Sequence, residues 1–176
     1  NTVTGIANAY LDGFPLLVIT GQVSSELLHQ DAFQEVDIID MTKSCTKQNF
    51  QVTSVKDLQK TLTEAYNTAM TGKKGPVVVD ITKNVFSETA NFQENILIKD
   101  NQPVIPDVSL AMQALFKAER PVIIAGGGAI DAANEVIQFS KSFNIPVVST
   151  MMGLGVYPAN GENYLGMVGI FGHANK

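Results

Sequence analysis

The chain has 176 residues, 45% of them hydrophobic and 16% charged, with 14 Gly and 7 Pro, a composition that excludes disordered, collagen-like and coiled-coil chains and corresponds to one domain or a little more. Twelve Lys and Arg against 17 Asp and Glu give a formal net charge of -5, and the scattered basic residues form no footprint for a phosphate backbone, which argues against nucleic acid as the main partner. No apolar run approaches the roughly 20 residues of a membrane helix, no signal-peptide pattern opens the chain, and one Cys with two His supports neither an internal disulfide nor a His/Cys zinc site; a cytoplasmic protein, away from the membrane, is expected.

In chain order, residues 2–12 place Val3, Ile6, Ala7 and Tyr10 on one helical face, with Asn1 or Thr2 as cap. Pro15-Leu-Leu-Val-Ile-Thr-Gly-Gln22 follows, the first of four segments built as a proline, a short apolar run, then small or polar residues. Residues 33–50 carry no single pattern, although Lys43 to Val52 has room for a short strand. Ser54-Val-Lys-Asp57 is a helix start signal, Leu58, Leu62, Ala65, Tyr66 and Ala69 continue at helical spacing, and Gly72 ends that helix. The second proline-led segment is Pro76-Val-Val-Val-Asp-Ile-Thr82. Residues 84–106 break the rhythm with Asn, Gln, Glu and Asp, closing on Pro103 and Pro106, and are expected to be a linker holding a short strand near Ile96–Ile98. Helical patterns return over 108–118 (Val108, Met112, Leu115, Phe116) and 131–143 (Ala133, Val136, Ile137, Phe143). The remaining proline-led segments are Pro121-Val-Ile-Ile-Ala-Gly-Gly-Gly128 and Pro146-Val-Val-Ser-Thr150. No closing strand or helix is evident beyond Gly169-Ile-Phe-Gly-His173.

Proline is tolerated at a strand's first residue, and unbroken apolar runs predict parallel strands covered on both faces. Strands alternating with helices predict an α/β fold with parallel sheets and flanking helices. Both ends of the chain look cut, so a piece of a longer enzyme is expected.

Ligands of open parallel sheets bind beyond the carboxyl ends of the strands. Gly126, Gly127 and Gly128 either let a pyrophosphate approach backbone N–H groups or form a structural turn; Asp131 stands where a dinucleotide fingerprint has Gly or Ala. Asp31-Ala-Phe-Gln-Glu-Val-Asp37 is either a substrate or cofactor loop or a solvated helix start packed by Phe33. Lys83, just past a strand, either neutralises a carboxylate ligand or is merely exposed. His29 and His173 are isolated, and Cys45 has no neighbouring His to activate it.

Taken together, several of these segments resemble acetolactate (acetohydroxyacid) synthase catalytic subunits, in the family's order. They are Thr4-Gly-Ile-Ala-Asn-Ala-Tyr-Leu-Asp12, Val18-Ile-Thr-Gly-Gln-Val23, Gln30-Asp-Ala-Phe-Gln-Glu35, Gly75-Pro-Val-Val-Val-Asp80, Arg120-Pro-Val-Ile-Ile-Ala-Gly-Gly-Gly128, Met152-Gly-Leu-Gly155 and Leu165-Gly-Met-Val-Gly169. The resemblance covers essentially the whole chain. It implies parts of two Rossmann-like domains of a thiamine-diphosphate enzyme: residues 1–85 as the later part of the pyrimidine-binding domain, 86–106 as linker, and 107–176 as the first part of the central domain. It further implies decarboxylation of pyruvate and transfer of the two-carbon unit to a second 2-ketoacid, with thiamine diphosphate, Mg2+ and FAD as cofactors. A homodimer or higher oligomer and a regulatory small subunit are the implied partners. Another carboligase of the same superfamily, such as a glyoxylate-using one, and a non-catalytic nucleotide-binding module are the alternatives.

By the same resemblance Gln34 is a cofactor-side residue, while Gln22, Phe33, Lys47 and Lys83 lie around the substrate channel. Lys73, Gly126, Gly127, Gly128, Thr150, Met151, Gly169, Ile170 and Phe171 are the implied flavin positions. The family's catalytic Glu and its Gly-Asp-Gly…Asn metal motif have no counterpart here, so no catalytic or metal-binding residue is expected in this chain. Lys73 replaces the usual Arg, Phe171 the usual His, and Gly13 a small hydroxyl residue.

Overall fold

Leu16–Gln22 (β1), Gln48–Val52 (β2) and Pro76–Thr82 (β3) pair in parallel in the order β1-β3-β2. This is a computed structural model, which describes residues 1–92 and 105–172. The strand expected near Ile96–Ile98 and His173 lie outside those residues. The valine run of β3 is central and buried at every position. Alternation sends Val77, Val79 and Ile81 to one face and Val78, Asp80 and Thr82 to the other. The first face packs on the helix Val55–Met70 (α3) through Ala65, Ala69, Leu58 and Leu62. The helix Thr2–Asp12 (α1) lays Ile6 over Val78 and Val18 on the second. Each fully buried valine contributes roughly 1.5–3 kcal/mol, so β3 is the anchor of this unit.

Helix ends follow local chemistry. Gly13 takes φ 71° after α1, and its N–H returns to the Ala9 carbonyl. Ser54 caps α3 by accepting from the Lys56 N–H at 3.4 Å, and Thr71 closes it one residue before Gly72. Between β1 and β2 lies a short helix, Ile38–Thr42 (α2), whose cap Asp37 accepts from the Asp40 N–H at 2.9 Å. The ambiguous 33–50 stretch therefore holds a loop, α2 and the start of β2.

The second compact unit, Val104–Lys176, follows the first, Asn1–Pro103. Its parallel sheet has the order β4-β5-β6, built from Ile123–Ala125 (β4), Val147–Ser149 (β5) and Tyr164–Met167 (β6). Ser109–Lys117 (α4) and Ala133–Phe143 (α5) are its helices, and a 3-10 segment, Gly127–Ala132, leads into α5. Val136 and Ile137 pack on Ala125, Val147, Val156 and Tyr157.

One strand has no counterpart in the sequence reading, and one expectation changes. β6 is short and half-exposed, and the register shift opposite Val147 and Val148, with Gly166 at φ 104°, hides it from any periodicity. Burial on both faces holds for β3 and β5, whereas β1 and β4 are edge strands that leave Ile19 55% and Ile124 67% exposed. Among the described residues no helix is long and apolar enough to cross a membrane.

Candidate functional site

Parallel pairing brings the carboxyl ends of β1, β2 and β3 to one edge, where buried Thr82 donates to the Val52 carbonyl at 3.1 Å. Asn84, just beyond β3, ties the other two exits together. Its Oδ1 accepts from the Ser25 N–H at 3.0 Å and its Nδ2 donates to the Thr53 carbonyl at 3.1 Å. Beside it Lys83 is exposed, its backbone N–H donating to the Val23 carbonyl at 3.4 Å.

Gln22 sits at the same edge with its amide committed. Nε2 donates to the Val36 carbonyl at 2.7 Å and to Asp80 Oδ2 at 3.1 Å, while Oε1 accepts from the Val23 N–H at 2.9 Å. Both amide hydrogens are thereby used, and the expected substrate contact is in the first place a clamp on the loop 24–37. That loop carries Phe33 and Gln34. Phe33 is 90% exposed, which removes the alternative of a helix start packed by its ring. Gln34 is exposed at φ 65°. Glu35, which sequence reasoning missed, organises the loop: its carboxylate accepts from the N–H groups of His29, Gln30 (3.3 Å) and Ala32 (3.0 Å). The N–H groups of His29 and Ala32 hold its carboxyl below the ordinary glutamate range. Gln22, Gln51, His29, Glu35 and Asp37 help line a cavity of about 200 Å³ between loop and sheet. A wider apolar groove of about 1050 Å³, between β1 and α3, touches none of the expected site residues.

Lys47 and Lys73 are at the opposite, amino end. The Lys47 N–H meets the carbonyl of Pro76, the first residue of β3, at 2.8 Å. Its ammonium donates to the carbonyls of Thr68 and Thr71 (2.6 Å), at the C-terminus of α3. Burial lowers its pKa from the ordinary lysine value. Within this unit Lys47 is therefore a helix cap, and it does not join Gln22, Phe33 and Lys83. Lys73 lies 5.6 Å over the Tyr10 ring, and its chain passes Gly13, so the Lys73 and Gly13 departures from the family pattern are neighbours.

In the second unit the remaining flavin positions share one edge. β4 runs into Gly126, Gly127 and Gly128, β5 into Thr150 and Met151, and β6 into Gly169, Ile170 and Phe171, all at carboxyl ends. Thr150 Oγ1 accepts from the Gly153 N–H at 3.2 Å and its own N–H meets the Ala125 carbonyl at 2.9 Å. A Cβ on Gly127 would press on Met152 at 3.2 Å, but one on Gly128 would meet nothing within 4 Å. The fold itself thus does not demand the third glycine, and its bare backbone is open to a ligand. Met151 (60%), Ile170 (94%) and Phe171 (78%) are exposed apolar side chains beside that backbone. The buried Ser149 Oγ has no hydrogen-bond partner. Open glycine backbone next to apolar side chains fits a flavin nucleotide. Among the described residues no three His, Cys, Asp or Glu side chains gather to hold a metal ion.

Residues 1–41 match the thiamine pyrophosphate enzyme N-terminal TPP binding domain, and residues 108–176 match the thiamine pyrophosphate enzyme central domain. The acetolactate synthase large subunit of Haemophilus influenzae is 38% identical to the chain over 182 residues, which cover 98% of the chain and 32% of that protein. That of Corynebacterium glutamicum is 42% identical over 180 residues, 98% and 29% respectively. The chloroplastic acetolactate synthase of Arabidopsis thaliana is 37% identical over 180 residues, 98% and 27%. The chain thus spans about a third of the length of these relatives.

Proposed function

We propose that the chain belongs to the thiamine pyrophosphate enzyme family, two of whose domain models match it, and that it is a segment of an acetolactate synthase large subunit, joining two 2-ketoacids with loss of CO2. The observation that carries this is the similarity to acetolactate synthase large subunits along 98% of the chain. Residues 1–85 are then the later part of the pyrimidine-binding domain, 86–106 the linker and 107–176 the start of the central domain.

Bound thiamine diphosphate supplies the electron sink for decarboxylation. In this scheme the chain's own residues position and select. Gln34, on a loop held by Glu35 and Gln22, presents its amide to the cofactor; the exposed Phe33 ring forms an apolar wall for the acceptor; and Lys83 attracts ketoacid carboxylates with an ammonium no described residue pairs. Lys47 serves the C-terminus of α3. The described side chains form no Mg2+ site, and the metal belongs with residues of the parent enzyme. FAD fits the glycine edge of the second unit, held by Gly126, Gly127, Gly128, Thr150, Met151, Gly169, Ile170 and Phe171. Two pyruvates giving acetolactate and CO2 exchange no net electrons, so a flavin here is a structural ligand and is not consumed. The partners are pyruvate, a second 2-ketoacid, further copies of the parent and, as the relatives' name "large subunit" implies, a regulatory small subunit. The compartment is the cytoplasm, which suits a lone cysteine.

The test is the intact parent and its Phe33→Ala variant, assayed for acetolactate from pyruvate and for competition between pyruvate and 2-ketobutyrate as acceptor. Wild type should form acetolactate. One methylene in an apolar pocket is worth roughly 1–3 kcal/mol, about 10- to 200-fold, so much of any acceptor preference should vanish with the ring. An exposed ring costs the fold little, so the Tm should barely move. A wild-type parent that yields no acetolactate overturns the function, and an unchanged acceptor ratio removes Phe33 from the site.

A further inference from the structure

Asp80 is 1% exposed on the central strand, with Thr20 and Gln51 as its neighbours on β1 and β2. Its Oδ1 accepts from the Thr20 hydroxyl at 2.7 Å, and its Oδ2 from Gln22 Nε2 at 3.1 Å and Gln51 Nε2 at 3.4 Å. Every donor is neutral. A buried carboxyl is costly to place, and the strand around it, Val77 to Ile81, is otherwise apolar, so the sheet's stability does not account for it. What the carboxyl supplies is direction. An acceptor at this point turns the nitrogen of the Gln22 amide inward, which leaves its second hydrogen for the Val36 carbonyl and its oxygen for the Val23 N–H. Those two contacts lie at the two ends of the loop that carries Phe33 and Gln34.

We propose that Asp80 is the positioning residue of the acceptor site, fixing through Gln22 the loop that presents Phe33 and Gln34. It touches neither substrate nor cofactor, and its role at an acceptor site rests on the function proposed above. Asparagine at position 80 can still meet this demand: its oxygen accepts from Gln22 while its nitrogen donates to the Thr20 oxygen. Valine cannot, and it leaves the Gln22 amide unpartnered on that side.

The experiment compares Asp80→Val, Asp80→Asn, Gln22→Met and the double variant Asp80→Val/Gln22→Met in the intact parent, with Ser54→Ala as a variant that weakens only the cap of α3. Two quantities are read: the pyruvate/2-ketobutyrate acceptor ratio, and hydrogen exchange at the Val23 amide. Asp80→Val and Gln22→Met should shift the ratio in the same direction and speed Val23 exchange roughly tenfold or more. Their effects should not add in the double variant, since both act through one contact. Asp80→Asn should stay near wild type, and Ser54→Ala should lower the Tm without moving either quantity. Additive effects, or an Asp80→Val protein with wild-type ratio and exchange, overturn the proposal. Should Asp80→Val not fold, Gln22→Met decides alone, and wild-type values for it count against. Exchange requires no turnover, so a parent without acetolactate activity refutes the function while Val23 still reports whether Asp80 positions the loop.

Discussion

Three backbone N–H groups converge on the Glu35 carboxylate, from His29, Gln30 and Ala32. The loop they belong to is strained, with His29, Asp31 and Gln34 at φ 63°, 53° and 65°, each a conformation that costs a non-glycine residue about 1–3 kcal/mol. A local anion that gathers several donors offsets that cost without a hydrophobic core beneath. These bonds favour the ionised form, so the folded pKa lies below the unfolded one. The sign follows: this hold is fully present above the ordinary glutamate range and is lost as the pH falls through the depressed folded value. In an NMR titration of the folded protein, the His29 and Ala32 amide signals should therefore move together, with a midpoint below that of an unperturbed glutamate. Glu35→Gln should abolish that titration and speed exchange at both amides. A midpoint at the ordinary value would show that the carboxylate does not hold the loop.

At the scale of elements, the tail of β4 and the turn after β5 approach more closely than side chains allow. A Cβ on Gly153 would lie 2.1 Å from the Ala125 carbonyl oxygen and 3.0 Å from Gly126 Cα, both backbone atoms that move only with the strand. Gly153→Ala should cost about 1–3 kcal/mol, as overpacking does, measured by denaturant unfolding of the second unit. Gly128→Ala, which meets open space, should stay within about 0.5 kcal/mol. If that variant nonetheless loses FAD on gel filtration of the intact parent, the open glycine serves a ligand; a large stability loss would instead make it a structural turn. The same contrast separates Lys47 from Lys83 in the first unit. Lys47 completes the end of α3 through Thr68 and Thr71, whereas Lys83 has its ammonium exposed at the carboxyl edge.

For the whole molecule, the two units each present a carboxyl edge, one with the exposed Phe33 ring and Lys83, the other with bare glycine backbone. Neither edge supplies an acidic cluster for a metal among the described residues, and no Gly-Asp-Gly occurs in the sequence. The relatives it matches are about three times longer. These 176 residues alone, given pyruvate, thiamine diphosphate and Mg2+, should accordingly form no acetolactate above a protein-free control. Acetolactate from the purified segment would show that the site is complete within it.

Local chemistry by itself determined most of the elements. A proline followed by valines needs no distant partner to read as a strand, and Ser54 marks the start of α3 in either description. The order of the motifs, from Thr4-Gly to Val168-Gly169, likewise carried the family resemblance without coordinates. Only the tertiary structure decided which strands are central and which are edges, because burial of Val78 and exposure of Ile19 depend on what pairs beside them. It alone made Gln22 a clamp and Lys47 a cap. Those roles come from contacts such as Gln22–Asp80, 58 residues apart, and Lys47–Thr71, 24 apart. Sequence spacing does not encode such pairs; parallel register and the packing of α3 on the sheet bring them within hydrogen-bonding distance.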